Sequence, residues 1–493
     1  MMRQQLFIGS VLALCWIGQP PAQTLNLPDL GNSADRLLST GAETRLGQAF
    51  MRSVRTALPV LDDPLLVSYL ETLGNTLVTA DQQASAGFTF FLIDAPVVNA
   101  FAGPGGYIGV YSGLILAAET ESELAGVIAH EIAHVTQRHL MRGFEDQSQF
   151  SIPATALLIA AAILGAQVSP DAGMAAIAGI QAATVQRQIN FTRDNENEAD
   201  RLGITTLAHA GYDPHAMAGF FGRLAQSGRL YDNHAPEFLR THPVTTNRIA
   251  DALSRADEFG ARQRPDSLRF QLVRARLRER SYQRAEQAVT YFRDSLREGR
   301  YRSEIAERYG DALALLRARH FAEAQTEISK LLAAVPDQAE FIILAARLQL
   351  AQQHSAAALA QLKQALAHTP DVWSLRVAYA EALLANDQPQ LALDELTAVE
   401  RQRPGLAVLY DLLEQAALKT GNQAATHRFR AEKQYAKGDL EPAIRQLEIA
   451  LRQPKLPYHE AARIQARLEN WQEELRAQKQ RDKDTFGSRR ATN

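Results

Sequence analysis

The chain has 493 residues, long enough for two or more domains. With 46% hydrophobic residues and a formal charge of -3 it has the make-up of an ordinary globular protein, and that balance argues against a nucleic-acid binder. A single cysteine, Cys15, excludes an internal disulfide framework.

Residues 1–22 have the form of an export signal. Arg3 supplies the charge, Leu6 to Gly18 is a 13-residue apolar core, and Pro20-Pro21-Ala22 ends on a small residue. The core is short of the roughly 20 residues that a membrane span needs. Cys15 lies inside it, behind a Leu14 too large for a lipoprotein cleavage box, so no lipid anchor is expected. The mature chain would then hold no cysteine, as suits an exported protein held by core burial.

Residues 24–45 are polar and turn-rich. Apolar residues recur at helical spacing from Glu43 to Thr79, interrupted by Pro59 and the Asp62-Asp63-Pro64 turn. Phe88 to Asp94 (FTFFLID) predicts a strand. Val97 to Leu114 predicts a hairpin turning at Gly103-Pro104-Gly105-Gly106. Its first arm, with Asn99, Ala100 and Phe101, offers an open edge on which an extended peptide can pair; an ordinary hairpin is the other reading.

Thr120 to His139 (TESELAGVIAHEIAHVTQRH) predicts a helix. Thr120 and Glu123 form a capping box, and Leu124, Val127, Ile128, Ile132 and Val135 keep helical spacing. Within it stands His130-Glu131-Ile132-Ala133-His134, an H-E-x-x-H pattern. Residues four apart share a helix face, so both imidazoles can bind one ion while Glu131 takes a proton from metal-bound water. Taken alone, the pentapeptide fits equally well a buried helix whose histidines bond to neighbours. Next come 17 residues, Ile152 to Val168, at the lower edge of spanning length, then the Gly- and Ala-rich Ala172 to Gln186. Two helices packed in the core or capping a cleft are the first reading of 152–186, and a peripheral contact with a membrane surface the second.

A further helix is expected from Thr192 to His209, ended by Gly211 and Pro214. Glu196 and Asp200 share one of its faces. A catalytic zinc takes three protein ligands and leaves a fourth position for water, so Glu196 can be the third ligand. Asp200 can accept the spare N–H of a ligand histidine. Two solvated acids at an acidic helix start are the ordinary alternative, weakened by the H-E-x-x-H upstream. His139, His209, His215 and His234 carry no comparable signal and read as structural.

The C-terminal half is periodic. Pro336, Pro370 and Pro404 are spaced by 34 residues, with Ala312, Ala346 and Ala380 24 before each and Ala324, Ala358 and Ala392 12 before. That is the period of the tetratricopeptide repeat, which stacks helix pairs into a curved solenoid with a concave face. Units near 268–298 and 406–426 are looser. Residues 261–303 carry twelve arginines against five acids, read here as a solvated face before a surface that steers an acidic partner.

H-E-x-x-H followed by E-x-x-A-D resembles the zinc metallopeptidase family that includes the membrane protease HtpX and the CAAX prenyl proteases. Closer still is the family's periplasmic, repeat-bearing branch. The likeness rests on the export signal, Asn99-Ala100-Phe101-Ala102 with its Gly-Pro-Gly-Gly turn, Glu196 to Gly203 (ENEADRLG), His242-Pro243 with Arg248, and the repeats. An extended H-E-x-x-H-x-x-G-x-x-H pattern fails, because Gln137 and Leu140 stand where Gly and His are required.

The resemblance implies one zinc ion per chain on His130, His134 and Glu196, with Glu131 as general base and acid and Asp200 behind the ligands. It implies that His242 fills the open metal position at rest and swings away for cleavage. Arg248 is expected to anchor that loop or stabilise an oxyanion, with a surface salt bridge as the alternative. The implied substrates are unfolded or misassembled outer-membrane β-barrel proteins, met in the periplasm of a Gram-negative bacterium at the outer membrane's periphery. The repeats would dock on the β-barrel assembly machinery. A chaperone or scaffold of the envelope with a latent metal site is the alternative, and a membrane-embedded protease a third class. The expected fold is mostly α with a small β-sheet: signal peptide 1–22, zinc metallopeptidase domain 23–262, α-solenoid of tetratricopeptide repeats 263–473 and a disordered tail 474–493.

Overall fold

The computed structural model describes residues 40–84, 87–142, 159, 193–230, 236–454 and 456–491. The expected export signal, the apolar stretch 152–186 apart from Ile159, and His234 lie outside the described residues. Among the described residues no helix is long and apolar enough to cross a membrane.

Helix α1 (Thr40–Ala57) leads through β1 (Val60–Leu61) to α2 (Pro64–Ala80). Asp63 caps α2, its carboxylate accepting from the Leu65 and Leu66 N–H groups, and Pro64 opens the helix where its missing N–H costs nothing. Strands β2 (Thr89–Ile93), β3 (Ala100–Ala102) and β4 (Tyr107–Tyr111) complete a sheet ordered β1-β2-β4-β3, with β2 parallel to β4 and both outer strands antiparallel. The expected hairpin forms: Pro104–Gly106 is a single turn in which Gly105 and Gly106 take φ of 72° and 76°. β3 lies at the sheet's edge. At two residues β1 is too short for periodicity to reveal.

After the short α3 (Ser112–Ala117), α4 (Glu121–Thr136) runs through the middle of the core, buried continuously from Glu121 to His134. Around it pack α2, the edge strand, α6 (Arg193–His209) and α7 (His215–Leu230). The one-turn helices α5 (His139–Arg142) and α8 (Glu237–Thr241) and then α9 (Thr246–Phe259) complete this unit.

Helix α10 (Leu268–Arg280) opens the solenoid, and helix pairs follow to Tyr458–Ala491. The 34-residue register is deeper than prolines and alanines. Arg319, Gln353, Asp387 and Gly421 all adopt positive φ, between 54° and 72°, at the same place in successive pairs. Three of the four are not glycine, so the left-handed turn is imposed by the packing on either side. All six register alanines from Ala312 to Ala392 are buried, which lets paired helices close on one another.

The array wraps the peptidase unit. Leu65 of α2 packs with Ile342, Ile343 and Ala346, and Val67 with Trp373 and Val377, so α2 shares its surface between the two parts. Eight of the twelve arginines of the basic stretch 261–303 are exposed, as a solvated face requires, and several of the stretch also bond across this junction. Arg276 bonds Asp63 and Tyr309, Arg280 bonds Asp94, and Arg262 and Arg264 bond the carbonyls of Ala208 and Ala210. The expected boundary at 262/263 falls in the connector, yet Phe270, Val273 and Leu277 of α10 belong to the same core as α4. At the far end Arg52 of α1 bonds Tyr435 and Glu474. The last helix continues to Ala491 in place of a disordered tail beginning at 474, and Leu475 packs on the cluster around Trp471.

Asp63 ties helix cap to domain junction. Burial alone would raise its carboxyl, but the charge and hydrogen bonds of Arg276 bring it below the usual aspartate range. A depressed folded pKa contributes stability that is present above the unfolded aspartate value and lost as pH falls through the folded one. Asp63→Ala is therefore expected to cost about 3–5 kcal/mol in urea unfolding at neutral pH. The difference from the unmodified chain should shrink as the titration is repeated at increasingly acidic pH.

Candidate metal centre

Glycine 203 sets how closely α6 lies on α4. A Cβ there would come within 3.1 Å of the His130 nitrogen and 2.9 Å of Met217 Cε, so any larger residue would push the helices apart. The buried face of α6, with Glu196, Ala199, Asp200 and Gly203, keeps helical spacing and is pressed onto the His130/His134 face. α8 then brings His242, its C-cap residue, in from the third side.

The four side chains converge. His130 Nε2 lies 3.0 Å from His134 Nε2, and the Glu196 carboxylate stands 3.6 Å from the first and 3.5 Å from the second. His242 Nδ1 is 3.3 Å from His130 Nε2 and 3.0 Å from Glu196 Oε1. All four residues are buried, and one ligand atom from each falls within 4.8 Å of the others. Tetrahedral bonds of about 2.0–2.1 Å to N and O donors would set ligand atoms about 3.3 Å apart, so the spacing fits one metal ion.

The charge balance agrees with that spacing. Asp200 Oδ1 faces His130 Nδ1 at 3.0 Å, which turns the Nε2 lone pair toward the cluster. Although burial works against its charged form, His130 is drawn up to about 9 by the carboxylates of Asp200 and Glu196. Burial would raise Glu196, but the histidines around it hold it well below the usual carboxylate range. A negative ligand set closed away from water is the environment a divalent cation satisfies.

Glu131 projects beside the cluster. Burial pushes its carboxyl up, with His242 and His130 opposing. Its Oε1 has no hydrogen-bond partner among the described residues and lies 3.5 Å from His242 Nε2. The Ala102 N–H of the edge strand also reaches this carboxylate.

Asn99, Ala100 and Phe101 lie on that edge, but not equivalently. Register pairs Phe101 with Gly109, Tyr111 N–H bonds Asn99 O and Gly103 N–H bonds Tyr107 O. By antiparallel alternation the outward backbone groups therefore belong to Val98, Ala100 and Ala102. Phe101 turns its ring into the cluster of Phe50, Phe91 and Tyr111. Asn99 Oδ1 accepts the Ala100 N–H, and Val98 O accepts the Phe238 N–H of α8.

Arg248 is buried rather than on the surface. Its guanidinium bonds both Asp200 oxygens at 2.7 and 2.8 Å, Glu196 Oε2 at 2.9 Å and the Pro243 carbonyl at 2.7 Å. It anchors the His242-Pro243 segment, and with those bonds made it is committed away from any oxyanion. His139, read from sequence as structural, is buried against His134.

A model of peptidase family M48 matches residues 64–256. The chain is 38% identical to the beta-barrel assembly-enhancing protease of Escherichia coli (strain K12) over 466 residues, 94% of this chain and 95% of that protein. It is 40% identical to a putative beta-barrel assembly-enhancing protease of Vibrio cholerae over 446 residues, covering 90% and 92%. It is 29% identical to the mitochondrial metalloendopeptidase OMA1 of Arabidopsis thaliana over 189 residues, covering 38% and 36%.

Arg248→Gln leaves Glu196 and Asp200 buried against one another without their guanidinium. We expect a loss of about 3–5 kcal/mol in urea unfolding of the metal-free chain. Part of it should be regained with divalent metal, which supplies positive charge to the same carboxylates.

Proposed function

The chain belongs to peptidase family M48 and is a metallopeptidase, and we propose that it acts in the periplasm, peripheral to the outer membrane, as a zinc-dependent endopeptidase. In this reading it removes misassembled outer-membrane β-barrel proteins and assists the assembly of others through its repeats. The observation that carries the peptidase chemistry is the convergence of His130, His134 and Glu196 on one point beside the unpartnered Glu131 Oε1. The link to β-barrel assembly comes from the relatives' names.

Zinc is proposed because two imidazoles and a carboxylate at tetrahedral spacing suit it among the common divalent ions. Bound there, it would polarise the scissile carbonyl and bring the pKa of a water near neutrality. Glu131 takes the water's proton and returns it to the leaving amine, a task that a carboxyl raised by burial suits. Asp200 orients His130, and Arg248 holds Asp200 and Glu196 in register.

The outward carbonyls of Ala100 and Ala102, whose N–H groups already bond Asn99 and Glu131, are proposed to accept from an extended substrate backbone. His242 holds the site closed at rest. It stands between Glu196 and Glu131, where the scissile group must lie, and stacks on Phe238 with ring centroids 4.9 Å apart. Because α2 fills the inner face of the repeats near Ile343 and Trp373, contact with the assembly machinery is proposed for surfaces that α2 leaves open.

The closed site gives the scaffold reading its one favourable observation, and a single substitution separates the two. Glu131→Gln should keep the metal content of the unmodified protein while peptide cleavage falls by about 100-fold or more. Cleavage unchanged in that variant would remove Glu131 from the chemistry. A full effect on envelope integrity without cleavage would assign that effect to the repeats.

A further inference from the structure

We propose that His139 and Glu198 form a positioning bridge that fixes His134 as a metal ligand; this rests on the metal reading of the 130/134/196 cluster. Glu196, Glu198 and Asp200 are alternate residues of one helical turn. Glu196 and Asp200 face the cluster, whereas Glu198 is rotated by about 200° from Glu196 and points elsewhere. The two inward acids serve themselves and His130, the first as a ligand and the second at His130 Nδ1. The corresponding nitrogen of His134 faces a ring, that of His139.

Histidine 139 crosses the gap. His139 Nδ1 lies 2.9 Å from His134 Nδ1, and its Nε2 lies 3.1 Å from Glu198 Oε2. Proton positions follow in one sense only. His134 points Nε2 at the cluster, 3.0 Å from His130 Nε2, so a metal-bound His134 carries its proton on Nδ1. Nδ1 of His139 must then accept, which leaves its proton on Nε2 to be donated to Glu198. The acid that cannot reach the site directly thus acts on a ligand through an intervening ring, and Arg142 stands 3.6 Å from the same carboxylate.

The chain makes an unusual turn to achieve this. Five residues past His134, His139 would not face it on a continuous helix. α4 ends instead at Gln137, and Arg138 takes φ of 53°, a left-handed conformation that a bulky side chain seldom adopts. α5 restarts at once with His139 turned back onto His134, and Arg138 bonds Glu43 at 3.1 Å. Local strain that places one buried ring against a ligand is what a positioning role requires.

The test measures metal affinity, by zinc competition with a chromophoric chelator, and the visible spectrum of the cobalt-loaded protein. His139→Leu keeps volume but loses the acceptor, and its affinity should fall 10–100-fold with an altered cobalt spectrum. His139→Asn keeps an acceptor near the Nδ1 position and should restore most of the affinity. Glu198→Gln should weaken binding less than His139→Leu does. Unchanged affinity and spectrum in His139→Leu would overturn the bridge while leaving the metal site intact. His139→Asn as weak as His139→Leu would overturn it as well, since the ring would then serve only packing. Failure of the metal reading itself is distinguishable: the unmodified protein would then bind no stoichiometric metal, and His134→Ala would change nothing.

Discussion

Everything at the site depends on how near two helices can approach. α4 supplies His130 and His134, α6 supplies Glu196 and Asp200, and a glycine at 203 sits where their backbones meet. Packed helices usually lie 8–10 Å apart, and small residues at the crossing allow the short end of that range. Close approach makes a carboxylate only four bonds from its backbone long enough to stand 3.5 Å from His134. A methyl at 203 would meet the His130 backbone nitrogen at 3.1 Å, so the two helices would have to give by a few tenths of an ångström. The buried charges are then held by reciprocal satisfaction: Arg248 pairs with the two acids, and Asp200 faces His130.

Legibility in the sequence followed the range of the interactions. α4 could be read because its cap, its apolar spacing and its ligands lie within 20 consecutive residues. Glu196 and Asp200 could be read because four-residue spacing is itself a statement about one helix face. His242 and Arg248 sit in a turn and a helix start with no periodic signal; only likeness to a known family singled them out. The contact of His139 with His134 was not legible because it depends on Arg138 adopting positive φ, which no local preference of arginine announces. The left-handed turns at Arg319, Gln353 and Asp387 were missed for the same reason. Position in the 34-residue register was their signal, and residue type hid it. Tertiary packing overrides intrinsic preference at these places.

The basic stretch 261–303 is largely exposed, with one arginine turned into the core. Twelve arginines in so short a span suggest exposure. Arg276 is instead enclosed between Asp63, the cap of α2, and Tyr309 of the second helix pair, and it bonds both. An arginine fork can satisfy several acceptors at a polar junction where an aliphatic side chain would strand them. Helix α2 consequently belongs to two cores at once, with Leu66 and Leu70 toward α4 and Leu65 and Val67 toward the repeats.

The edge strand and the fourth position of the cluster are linked in the same physical sense. Val98 O accepts from Phe238 N–H, and His242, four residues on, reaches both Glu196 and Glu131. Both contacts are made by one short element, α8 with its C-cap, whose Phe238 is buried against Phe221 and the His242 ring. Five residues so packed move as a body, since leaving Phe238 in place while displacing His242 would break the stack and the His242 N–H···O bond to Phe238, 2.7 Å long. Displacing His242 would therefore also release the Val98 carbonyl from α8.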